Sequence, residues 1–152
     1  MMTRVLISAA AVALIGAAPV VPNPSLGKAE AACRAGETGP ALHINVVGLK
    51  DRNGLVRAEL YPANDPDFLS DDAILVNAGK TFRRVDLPIP STGPVTLCMR
   101  IPGPGRYSLS LLHDRDRNLK FTKFSDGVGF GSNPKLGWSQ PKAAAATITA
   151  GS

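Results

Sequence analysis

The feature that most constrains this chain is a series of short segments with strictly alternating apolar and polar residues, each closed by glycine, proline or asparagine. In Tyr107-Ser-Leu-Ser-Leu-Leu112 the residues Tyr107, Leu109 and Leu111 share one face; in Val95–Ile101 the face is Val95, Leu97, Met99 and Ile101. A period of two is that of a strand with one side in a core. Leu42–Val46, Val56–Tyr61 and Phe82–Ile89 repeat the pattern, and Ala143–Thr149 reads as a closing strand. Ser91-Thr-Gly-Pro94 and Pro102-Gly-Pro-Gly105 are turns. Asp51-Arg-Asn-Gly54 contains Asn-Gly, which takes positive φ readily, so the first two segments are expected to form a hairpin. Asn64–Asp72 is polar and Pro-bearing, a loop with a helical turn at Asp67–Ser70. Outside the N-terminus no segment sustains a helical period. These signals predict an all-β fold: a single small antiparallel β-sandwich, immunoglobulin-like or transthyretin-like, of six to seven strands. Tyr107 opens its strand after Gly105-Arg106, where a corner tyrosine bonds its hydroxyl back to nearby backbone.

The chain has 152 residues, 44% of them hydrophobic and 19% charged, which suits one ordered domain. Arg4 followed by the apolar run Val5–Ala18 has the form of a secretory signal peptide and is shorter than the roughly 20 residues that span a bilayer. Pro19 disfavours cleavage after Ala18. Ala29-Glu-Ala31 offers an A-x-A site, so the expected division is a signal peptide over 1–31, with Ala32 as runner-up end, and one domain over 32–152. An uncleaved anchor is the alternative for the Pro-rich stretch that intervenes. A lipoprotein reading of Cys33 meets Glu30, where an apolar residue is required. Arg4, Lys28 and Glu30 leave with the leader and take a net +1 from the formal +5, so the remaining chain carries +4. The cations are scattered and the chain has eight aromatics in all, so there is no nucleic-acid stripe. The expected setting is bacterial, periplasmic or secreted, with an envelope or extracellular partner and no stable membrane span in the mature chain.

Two cysteines, Cys33 and Cys98, suit a disulfide in an exported protein. Cys98 shares its strand face with Thr96 and Arg100, away from the apolar positions, where an N-terminal segment can cross it. Two free thiols are the alternative.

The strand ending at His113 runs into a long loop, His113–Trp138. Asp114, Asp116 and Asn118 space oxygen ligands as a Ca²⁺ loop does, and Asp126 stands near the place of the twelfth ligand. Leu119 occupies the position where such a loop wants glycine, and Arg115, Arg117, Lys120 and Lys123 outnumber the acids. The competing reading has Asp114, Asp116 and Asn118 cap their own turns. Ca²⁺ is thus the one cofactor for which candidate ligands exist; otherwise none is expected. Phe121, Phe124, Phe130 and Trp138 either anchor the loop as a satellite cluster or form an aromatic patch for sugars or peptides.

The order strand, His113-Asp114, acid/amide loop, Gly127-Val-Gly-Phe-Gly-Ser-Asn-Pro134 resembles the bacterial family known as domain of unknown function 2141. The segments Val46-Val-Gly-Leu49 to Leu60-Tyr-Pro62 and Pro104-Gly-Arg-Tyr-Ser-Leu-Ser-Leu-Leu-His-Asp114 fit it as well. The resemblance covers residues 41–149 and is most specific from Tyr107 to Asn133. The family's loop is acidic and Gly-containing and ends in Asp; here Leu119 stands for the glycine and Thr122 for the aspartate. The resemblance implies a small exported β-sandwich and assigns no activity.

No enzyme is expected. His43 and His113 are the two histidines. His113 and Asp114 are neighbours on extended chain, so their side chains diverge. His43 lies on a polar face with Asn45. Ser108 and Ser110 read as strand surface. No G-x-S-x-G or H-E-x-x-H motif occurs. Three functions survive: a binding module using the His113–Trp138 loop, a structural envelope accessory without a small ligand, and an unrecognised hydrolase, for which the fold would have to bring together a pair such as His43 and a loop acid.

Overall fold

The computed structural model describes residues 23–151. Among them are seven strands: β1 (Ala41–Val46), β2 (Leu55–Pro62), β3 (Arg83–Pro88), β4 (Val95–Arg100), β5 (Gly105–Asp114), β6 (Gly127–Phe130) and β7 (Thr147–Ala150). β1 and β4 form a two-stranded antiparallel sheet. The other five make a second antiparallel sheet in the order β3-β2-β5-β6, with β7 also paired to β5. The all-β sandwich expected from the alternation is therefore the fold.

The expected hairpin is not formed. β1 pairs with β4, whereas β2 pairs with β3 and β5, so the chain changes sheets between the first two strands. Alternation sets which face of a strand is buried; it does not choose the partner. The Asn-Gly signal serves a different need. Gly54 has φ +80° and packs so tightly on the end of β5 that a Cβ there would lie 1.9 Å from the Asp114 carbonyl oxygen. Glycine is what lets β2 begin at this point.

Val56, Ala58 and Leu60 of β2 and Leu109 of β5 face Ile44 of β1 and Leu97 and Met99 of β4 across the sandwich. Helix α1 (Lys28–Ala31) closes one side, and the fully buried Ala31 joins this core. Directly after it, Cys33 bonds to Cys98, with the two Cα atoms 6.0 Å apart. Cys98 is half-buried beside exposed Thr96, on the face its parity assigns. Closing a loop of 65 residues stabilises the fold by about 4 kcal/mol in the chain-entropy treatment. The division expected after Ala31 falls inside this packed segment. The Gly27 carbonyl accepts from Arg84 N–H, and Lys28 Nζ lies 2.7 Å from Asp86. The apolar run of the expected leader lies outside the described residues. Among the described residues no helix is long and apolar enough to cross a membrane.

A second core lies on the other face of the five-stranded sheet. Tyr61, Phe68 and Phe82 meet edge-on, at ring separations of 5.6 and 5.4 Å from Tyr61, with Leu75, Ala143 and Ala146 around them. Ser108 and Ser110, expected at the strand surface, are buried under this layer, and Ser108 Oγ donates to the Ala143 carbonyl at 2.9 Å. Ala143–Ala146 is a 3-10 turn rather than strand; pairing begins at Thr147. Ala143 and Ala146 pack their small side chains down onto the sheet, while Ala144 and Ala145 are exposed, a spacing that strand alternation does not signal. Helix α2 (Asp72–Asn77) is capped by Asp71, whose carboxylate accepts from Ala73 and Ile74 N–H. At six residues it is too short to show a helical period. Tyr107 Oη donates to the Gly103 carbonyl at 2.8 Å, as expected of a corner tyrosine.

Candidate binding cleft under the His113–Trp138 loop

The outer face of the five-stranded sheet carries charges where the inner face carries aliphatics. The register sets Arg57 opposite Asp86 and Glu59 opposite Arg84. Arg57 makes a two-pronged bond to Asp86, at 2.7 and 2.9 Å, and its third nitrogen donates to the Leu119 carbonyl at 3.2 Å. Arg84 donates to Glu59 at 2.7 Å, to Asp72 at 2.9 Å and to the Asn23 carbonyl at 3.3 Å. Tyr61 Oη donates to Glu59 at 2.6 Å. Arg57 and Arg84 are only 5% and 7% exposed, a burial that is tolerable because each guanidinium is fully partnered. Burial drives the Asp86 carboxyl up, and Arg57 and Lys28 more than reverse it, leaving it below its usual value. Burial and the Glu59 carboxylate push the Tyr61 phenol far up, which keeps it a neutral donor.

Asp114, Asp116 and Asp126 converge, each offering an oxygen within 4.8 Å of the others, and Asn118 joins them. The acids also hold the loop's own backbone. Asp114 accepts from Asn118 and Leu119 N–H, at 3.2 and 2.8 Å. Asp126 accepts from Arg115 and Thr122 N–H, at 3.1 and 2.8 Å. Asp116 accepts from Asn118, both backbone and amide. Asp114 has no exposed surface, and burial together with the neighbouring Asp116 and Asp126 raises its carboxyl, against the pull of Leu119 and Asn118 N–H. The spacing that resembles a Ca²⁺ loop therefore brings the oxygens together, and the turn-capping bonds are present as well. Leu119 has φ +64° and Arg117 +59°, the left-handed conformation that glycine adopts most readily.

His113 and Asp114 diverge, as their adjacency requires. His113 Nε2 lies 2.9 Å from the Asn53 carbonyl and 3.8 Å from Asp51, whose carboxyl Arg115 and Asn53 N–H hold down at about 2. His43 is exposed, in register with Cys98 on the outer side of the two-stranded sheet.

The aromatic cluster expected to anchor the loop is not formed. Phe130 packs on Phe68, with ring centroids 6.0 Å apart, but Phe121, Phe124 and Trp138 are 56%, 91% and 109% exposed. The reason is that the second core is already filled by Tyr61, Phe68 and Phe82 from other segments. Phe121 and Trp138 instead stand over a cleft of about 600 Å³ between loop and sheet. Its floor is Arg57, Glu59, Arg84 and Ser110; its walls include Leu112, Leu119, Val128 and Leu136. A largely apolar hollow of this size with a few fixed polar groups is what small-molecule sites use. Strand alternation alone does not reveal this floor. Its signal was nonetheless present: Arg57-x-Glu59 and Arg84-x-Asp86 are sign-alternating pairs that match when the two strands run antiparallel.

A family model described as "Uncharacterized protein conserved in bacteria (DUF2141)" matches residues 44–152. No curated protein and no solved structure matches the chain.

Proposed function

The chain belongs to the DUF2141 family, and on that premise we propose that it is an exported, non-catalytic binding module. Its site is the cleft between the His113–Trp138 loop and the outer face of the five-stranded sheet, and its ligand is a small, largely apolar molecule. The observation that carries this reading is the composition of the cleft: exposed Phe121 and Trp138 at the mouth, aliphatic walls, and a floor whose ions are already paired. Neutralised floor charges orient a ligand without demanding a counter-charge. Leu69 and Leu119, both in left-handed backbone at φ +59° and +64°, line the same cleft. Strained residues of this kind persist where the surroundings over-determine them and gather at ligand sites. The disulfide and the absence of a spanning helix among the described residues are compatible with export.

The test is titration with N-phenyl-1-naphthylamine, a neutral apolar dye that brightens in dry pockets. Saturable brightening that is lost in Val128→Glu, a change at an exposed wall position, supports the site. A dye response equal in the wild type and the variant contradicts it. The acids Asp114, Asp116 and Asp126 act in this reading by shaping the loop. Millimolar Ca²⁺ then leaves the melting midpoint where EDTA leaves it; a rise of several degrees would instead make the cluster a metal site.

A further inference from the structure

We propose that the tip of the His113–Trp138 loop region docks the protein on an anionic lipid surface. Eight large hydrophobic side chains stand exposed among the described residues, and five of them, Phe121, Phe124, Val128, Leu136 and Trp138, fall within eighteen positions of sequence. They are contiguous in space. Phe121, Val128, Leu136 and Trp138 border the large cleft, and Val128 also borders a neighbouring hollow with Phe124. Soluble proteins rarely expose a grouped apolar surface of this kind unless something covers it.

The charge around the patch identifies the cover. From residue 117 to residue 142 the cations are Arg117, Lys120, Lys123, Lys135 and Lys142, and the one acid is Asp126. Asp126 is turned inward, accepting from Arg115 N–H, Thr122 N–H and Ser125 Oγ. Asp116, just before this stretch, is exposed and bonded to Asn118, and Lys142 lies 3.4 Å from Asp65; the remaining outward charges of the stretch, Arg117, Lys120, Lys123 and Lys135, are positive. Lys120 and Lys123 border the large cleft with Phe121 and Trp138, and Lys123 Nζ sits 5.5 Å from the centre of the Phe124 ring. Tryptophan and phenylalanine interleaved with lysine suit the headgroup boundary of a bilayer. There the rings enter the acyl edge and the ammonium groups meet phosphate. A purely polar polyanion would use the lysines and leave five apolar side chains in water, so the lipid surface is the better fit. The paired ions of the cleft floor take no part.

The experiment uses the full chain and its own tryptophan. Trp138 is the one tryptophan present, so its emission reports on this surface. On mixing with phosphatidylglycerol–phosphatidylcholine vesicles the emission should shift to the blue, and the shift should be much weaker with pure phosphatidylcholine and suppressed by salt. Lys120→Glu and Lys123→Glu should each weaken vesicle binding at least about fivefold, the value of one cation near an anionic surface. Phe124→Ala should weaken it too, and all three exposed changes should leave the melting midpoint unmoved. No blue shift with either vesicle overturns the proposal. So does an equal shift with both vesicles that salt leaves unchanged, or a response to heparin matching the response to vesicles.

Discussion

Both faces of the five-stranded sheet are buried, yet they are built from opposite chemistry. The inner face is Val56, Ala58, Leu60 and Leu109, closed against β1 and β4, with Tyr107 and His113 at its two ends the polar side chains to satisfy. The outer face is Arg57, Glu59, Ser110 and Arg84, closed by a layer of short helices, a 3-10 turn and a long loop. An aliphatic face gains from every square ångström removed from water and is indifferent to partner geometry. An ionic face gains little net energy and depends on each partner being in place. The cleft lies on the second kind of face, which teaches that the sandwich core holds the fold while the ion-paired face is reserved for a fixed, shaped floor.

Breaking each face should show the contrast. Leu60 is wholly buried, and Leu60→Ala should cost about 3 to 4 kcal/mol by chemical denaturation, through lost transfer energy and a residual cavity. On the outer face, Asp86→Ala leaves the Arg57 guanidinium without its carboxylate and should cost about 3 kcal/mol. The sharper form is the double change Arg57→Met with Asp86→Leu. It should return to within about 1 kcal/mol of the wild type, because no buried charge is left unpaired. A double variant as unstable as Asp86→Ala would show that the ions contribute net stability, and the contrast between the faces would fail.

The N-terminal segment belongs to the outer face as well, since Asn23 and Lys28 serve Arg84 and Asp86. Deleting residues 1–31 should therefore cost on the order of 2 kcal/mol more than deleting residues 1–22, from an unsatisfied buried donor and the loss of Ala31 from the core. Equal midpoints for the two truncations would mean that the segment is dispensable. The smallest effect is expected in the loop. Leu119→Gly relieves a left-handed leucine and should raise stability by about 1 kcal/mol or less, with Asp114 still bonded to the residue 119 N–H. A loss of stability there would show that the Leu119 side chain, not its backbone, holds the loop.

The strands were legible because alternation survives in single sequences: β4 and β5 lie within one residue or so of where their apolar positions set them. Pairing was not, because the Asn-Gly pair at residues 53–54 marks a tight backbone position that serves hairpins and sheet-to-sheet crossings alike. The disulfide was legible from the parity of Cys98. The cleft was legible only in its mouth. Trp138 and Phe121 stand out as aromatics in a loop, whereas Arg57, Arg84 and Glu59 are simply the polar positions of alternating strands. Nothing local to a strand tells an outward charge facing water from one facing an opposite charge beneath a second layer. That layer comes from distant segments, α2 and the alanines of residues 143–146, whose helical turns are too short to announce themselves.

The most direct test of the account is an amide and indole NMR map recorded while N-phenyl-1-naphthylamine is added. The account predicts shifts concentrated at Ser110, Leu112, Leu119, Val128 and the Trp138 indole, with β1 and β4 unchanged. Shifts centred instead on the two-stranded sheet, or scattered over the surface without saturation, would contradict it.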